Sequence, residues 1–69
     1  MKDKKFIKGE YMVLLYEQKG IYYLSISGKE RTINGKKLRE IIDMRFFLNQ
    51  KEAEDHFDLA KKLINVLVK

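Results

Sequence analysis

Residues 11–27 read YMVLLYEQKGIYYLSIS: two runs of aromatic, aliphatic and β-branched residues parted by a Lys-Gly pair. Runs of this kind favour strands, and a pair ending in glycine suits a tight reversal, so the stretch reads as a β-hairpin with strands at 11–17 and 21–27. A two-residue loop at Lys19-Gly20 sets Gln18 opposite Ile21, Tyr16 opposite Tyr23, Leu15 opposite Leu24 and Val13 opposite Ile26. A three-residue loop with Gly20 in a bulge would shift that register. In the two-residue register Tyr11, Val13, Leu15, Tyr22, Leu24 and Ile26 share one face, the natural core face.

The other face carries Met12, Leu14, Tyr16, Ile21, Tyr23, Ser25 and Ser27. A solvated sheet face normally alternates to polar side chains, and this one does not. Met12, Leu14 and Ile21, with the two tyrosines, form an interaction face that another element of the chain, a second copy or a ligand should cover.

Outward toward the C-terminus, Gly28 is expected to end the second strand, with Gly28-Lys29 turning into a short third strand at 30–33. Asn34-Gly35 is a further turn signal, after which 36–43 is expected to wind as a short helix burying Leu38, Ile41 and Ile42. Residues 44–48, MRFFL, fit either a continuation of that helix through Phe47 or a buried fourth strand. The strand is preferred, because Asn49 then has the extended neighbour that a helix N-cap favours. Asn49 with Glu52 three residues on resembles a capping box and opens a long helix over about 50–68. Its core stripe is Ala53, Phe57, Ala60, Ile64 and Leu67, which Leu59, Leu63 and Val66 widen until the last turns look covered on more than one side. Residues 1–5 are expected to be a flexible N-terminus. The fold class is therefore α+β: a single domain over 1–69, in which an antiparallel meander of three to four strands packs against a C-terminal helix.

Composition narrows the function. A 69-residue chain buries only about 60% of its unfolded surface, which leaves it marginal on its own. With no cysteine and one histidine, His56, neither disulfides nor the usual thiolate or histidine metal sites are available as staples. Self-association, most simply a homodimer, is the expected remedy. No apolar run has the length of a signal peptide or membrane span, so a cytoplasmic protein away from membranes is expected. The net charge of +5 is unevenly placed: residues 1–37 hold nine Lys or Arg against four acids, and residues 38–69 hold six of each. An excess confined to one half suits an anionic partner.

No motif names a reaction. His56 lies in EAEDHF without metal-ligand spacing, Ser25 and Ser27 alternate on a strand without nucleophile-elbow glycines, and the helix acids Glu52, Glu54, Asp55 and Asp58 lack a cation-binding loop. The expectation is a non-enzymatic chain with no cofactor and no metal. GKERTINGKK, residues 28–37, contains no Walker pattern. It offers instead a sequence-tolerant hold on phosphates through Lys29, Arg31, Lys36 and Lys37, with Lys19 at the far end of the hairpin and Arg39 beyond the turn. Tyr16 and Tyr23 on the open face supply rings on which unpaired bases could stack. A basic nucleic-acid-binding accessory protein is the first functional expectation. The alternatives are a protein-binding inhibitor or adaptor acting through the apolar face, and a purely structural homodimer.

Overall fold

The computed structural model describes residues 3–68. Four antiparallel strands run in chain order across one sheet: β1 (Lys4–Lys8), β2 (Tyr11–Gln18), β3 (Ile21–Ile33) and β4 (Lys36–Phe47), followed by the helix α1 (Gln50–Leu67). Every strand pairs with its sequence neighbour, so each connection is a hairpin. The meander against a C-terminal helix is the α+β architecture expected.

Lys19-Gly20 is a two-residue loop, and β2 and β3 pair with Leu15 opposite Leu24, Tyr16 opposite Tyr23 and Val13 opposite Ile26. The core face follows from that register. Val13, Leu15 and Leu24 are buried beneath Ala53, Phe57, Ala60 and Ile64 of α1, while Phe6, Tyr11, Tyr22, Ile26, Phe47 and Val68 close the margins. Two alanines on the helix let it approach the sheet closely, and Phe57 fills the centre of the contact. Asn49 is the N-cap: its backbone is extended and its side chain accepts a hydrogen bond from the Glu52 amide at 3.1 Å. This satisfies one of the amides that a helix start leaves without an internal partner.

The structure corrects the reading of 28–48 in two places. Gly28-Lys29 is no turn; β3 runs through it to Ile33, with one extra residue on β3 between Ser27 and Glu30. Nor is 36–43 a helix. Asn34-Gly35 closes a tight hairpin that commits the following residues to pair back along β3, and the β-branched Ile41 and Ile42 suit that strand. A second irregularity gives β4 an extra residue at Ile42, and together the two bulges bend the long hairpin where it leaves the rest of the sheet. The preference for a strand at 44–48 holds as far as Phe47, the last residue of β4.

The N-terminus differs as well. Lys4 and Lys5, expected to be flexible, pair with Leu15 and Leu14 in β1, which the aromatic and aliphatic Phe6 and Ile7 anchor. Met1 and Lys2 of that stretch lie outside the described residues. On α1, Leu59, Leu63, Val66 and Leu67 are exposed rather than covered, since only one layer of sheet lies under the helix. The radius of gyration is 12.6 Å, against about 11 Å for a compact chain of this length. The difference reflects the part of β3 and β4 that extends past β2.

Candidate functional site

Beyond Ser27, β3 has no β2 residue beside it, because β2 begins at Tyr11 and its last partner in that direction is Met12. Residues 28–41 therefore leave the sheet as a two-stranded ribbon, about 20 Å long if each residue rises roughly 3.3 Å. Glu30 pairs with Arg39, Arg31 with Leu38, Thr32 with Lys37 and Ile33 with Lys36. The ribbon holds five cations, Lys29, Arg31, Lys36, Lys37 and Arg39, and two acids, Glu30 and Glu40. All four of the basic residues singled out in GKERTINGKK are exposed there.

The five cations are not equivalent. Arg39 is half-buried at the base, where Nη1 donates to the carbonyl oxygens of Glu10 and Gly28, each at 3.1 Å. It ties the bulged ribbon to the turn between β1 and β2. Arg31 stands 3.6 Å from the Glu40 carboxylate, an exposed pair of small energetic weight. Among the described residues Lys29, Lys36 and Lys37 have no partner, so their ammonium groups are free to meet an anion. Ile33 and Leu38, both about half exposed, bring apolar surface between these cations and line a cleft of about 360 Å³ with Arg31, Arg39 and Glu40.

The remaining residues expected at a nucleic-acid site lie elsewhere. Tyr16 and Tyr23 do face each other, with ring centroids 5.2 Å apart and planes inclined by 18°. Lys19 sits at the adjoining turn. Arg31 lies eight positions beyond Tyr23 along β3, about 26 Å of extended chain, so the tyrosines and Lys19 are at the opposite end of the sheet from the ribbon. The structure brings the ribbon cations together and leaves the stacking pair apart from them.

What the tyrosines belong to is the open sheet face. Ile7 on β1 lies beside Met12, and Met44 and Phe46 on β4 lie beside Ser25 and Tyr23. These three residues extend the expected patch of Met12, Leu14 and Ile21 across all four strands. Phe46 is 71% exposed, and none of the described elements packs over this side of the sheet. Ser25 and Ser27, which share this face, are buried between their larger neighbours, and Ser27 Oγ has no hydrogen-bond partner among the described residues.

A second, smaller apolar groove of about 200 Å³ runs between α1 and β4, lined by Leu24, Ile26, Asp43, Arg45, His56, Leu59, Ala60 and Leu63. His56 is half-buried there; its Nδ1 lies 2.9 Å from the Glu52 carbonyl oxygen and its ring meets Phe47 at 4.7 Å. Arg45 and Asp43, two residues apart on β4, pair along its edge at 3.1 Å. Among the described residues no three His, Asp or Glu gather as metal ligands would. None of the described helices is long and apolar enough to cross a membrane.

Met44 and Phe46 were not among the residues singled out from sequence, though a signal for them exists. Counting two-residue pairing outward from Asn34-Gly35 puts Met44 opposite Ser25 and Phe46 opposite Tyr23. The bulges leave that count intact, because the extra residue on β3 is offset by the extra residue on β4. No protein family, curated protein or solved structure matches the chain.

Proposed function

We propose that this chain is a non-enzymatic nucleic-acid-binding accessory protein, working as a homodimer, that grips duplex DNA through the ribbon 28–41. The observation that carries the reading is the ribbon itself: a two-stranded arm, unbacked by helix or neighbouring strand, with five cations against two acids. A two-stranded ribbon is one of the two elements that fit a B-DNA major groove, about 12 Å wide, whereas the A-form major groove is too narrow to admit one. Lys29, Arg31, Lys36 and Lys37 supply phosphate contacts, which set affinity without choosing a sequence. Arg39 has a different role, since its guanidinium holds the base of the arm. Tyr16, Tyr23 and Lys19 are left out of this grip on account of their distance from it.

The test is a titration of labelled duplex DNA, single-stranded DNA and RNA at about 50 and about 200 mM salt. Four phosphate contacts predict a loss of roughly a hundredfold in affinity between those salts. Replacing Lys29, Arg31, Lys36 and Lys37 together by Glu should abolish binding and leave the circular dichroism of the fold unchanged. Absence of duplex binding at the lower salt, or a quadruple variant that binds like the parent, would sink the reading.

An inhibitor or adaptor docking on another protein through Met12, Leu14 and Ile21 remains the competing reading, supported by the exposure of the sheet face. It predicts a stoichiometric foreign partner whose affinity falls on Leu14→Ala and hardly responds to salt.

A further inference from the structure

Around Ser25 and Ser27 the open sheet face alternates large and small side chains from strand to strand. Met12 and Leu14 on β2 and Met44 and Phe46 on β4 stand as two ridges, and between them Ser25 and Ser27 on β3 leave a furrow. We propose that a second copy of this chain covers the face in a two-fold pairing, the β4 ridge of each copy lying in the serine furrow of the other.

Two observations favour this occupant. The first is area. The chain exposes 5299 Å², about 700 Å² more than the roughly 4,600 Å² expected of a compact monomer of 8.3 kDa. That surplus is shared by the ribbon, the outer side of α1 and the open face, where Ile7, Met44 and Phe46 are each about half exposed or more, and its total is close to the share of about 800 Å² that one partner buries in an ordinary stable interface.

The second is charge. Lys5, at the β1 edge, is the single charged residue among the described residues whose strand position faces this side of the four-stranded sheet. Two copies with net charge +5 each therefore meet here without opposing like charges, and the excess stays on the ribbons. The groove beside α1 lacks this property, since Asp43, Arg45 and His56 line it. Depletion of charge marks the centre of an interface, and self-complementary relief is what a two-fold contact requires.

This inference deepens the homodimer part of the function proposed above and is independent of its nucleic-acid part. It gives the assembly two basic ribbons. The test is the mass of the protein by sedimentation equilibrium at about 200 mM salt without nucleic acid, where surface charge is largely screened. The expected mass is twice 8.3 kDa. Phe46→Lys and, separately, Met44→Lys change side chains that are already exposed in the single chain, so each should fold and raise the dimer dissociation constant about a hundredfold. Leu63→Lys, in the helix groove, should leave the dimer intact. A monomeric parent overturns the proposal, as does dissociation by Leu63→Lys with Phe46→Lys and Met44→Lys still dimeric. The quadruple ribbon variant should stay dimeric. A dimer that ignores DNA would remove the nucleic-acid reading and leave this one standing.

Discussion

The hairpin of β2 and β3 turns at Lys19-Gly20 and that of β3 and β4 at Asn34-Gly35, and the two turns have nearly the same backbone, with φ of 53° and 80° in the first and 53° and 79° in the second. Both belong to the type that matches strand twist in a two-residue hairpin. Their surroundings differ. Strands leaving the first turn lie under α1 and place Val13, Leu15 and Leu24 in the core, whereas strands leaving the second carry Ile33 and Leu38 about half exposed on an arm without backing. Local chemistry closes both hairpins. Only burial makes one of them part of the cooperative fold, since an isolated two-stranded hairpin is marginal in water.

The largest effect that can test this contrast comes from the same truncation made in each hairpin. Leu15→Ala removes a side chain with no exposed surface and should cost about 3–4 kcal/mol, much of the stability of a small domain. Leu38→Ala in the ribbon should cost less than about 0.5 kcal/mol. Urea midpoints compare the two. A loss at Leu38 equal to that at Leu15 would mean that the arm is packed against something the single chain lacks.

A middle-sized effect separates local from global strain. Alanine at Gly20 or Gly35 meets the same left-handed backbone and the same penalty of about 1 kcal/mol. For Gly20→Ala the penalty should appear in the unfolding midpoint, because that turn opens only when the core does. For Gly35→Ala the midpoint should stay put while ribbon amides exchange about fivefold faster, since the arm can fray alone. Equal midpoint shifts would show the arm to be a cooperative part of the domain.

The same contrast explains which parts of the molecule are legible in the sequence. The β2–β3 register, the buried helix stripe of Ala53, Phe57, Ala60 and Ile64, and the cap at Asn49 all rest on patterns that burial imposes. Residues 36–43 resist reading because an unbacked ribbon imposes no alternation. Leu38, Ile41 and Ile42 then sit at helical spacing by accident, and the tight turn at Asn34-Gly35 decides the matter instead. Gly28 misled for a related reason, since a glycine at a bulge and a glycine in a turn look alike without the pairing partner. At the candidate site, the basic residues of 28–37 were legible as a cluster, but their separation from Tyr16 and Tyr23 was not. It follows from β3 continuing through Gly28 as a bulged strand, which makes one long strand of what reads as adjacent turns.

The smallest effect concerns the first residue of each turn. Lys19 and Asn34 share a φ of 53°, a region that asparagine tolerates better than lysine because its short side chain bonds locally to the backbone. Lys19→Asn should therefore stabilise the domain by about 0.5 kcal/mol, and the reciprocal Asn34→Lys should leave the global midpoint unchanged within error while loosening the arm. The pair also isolates charge from conformation. Lys19→Asn removes a cation at the end of the sheet remote from the ribbon, so duplex affinity should not change. Asn34→Lys adds one at the tip, between Ile33 and the Gly35–Lys37 segment, so the salt dependence should steepen by about one phosphate contact even though the turn is weakened. If Lys19→Asn instead lowered duplex affinity as much as a ribbon charge reversal, the contact surface would lie along the whole sheet and the division between a structural hairpin and a binding hairpin would fail.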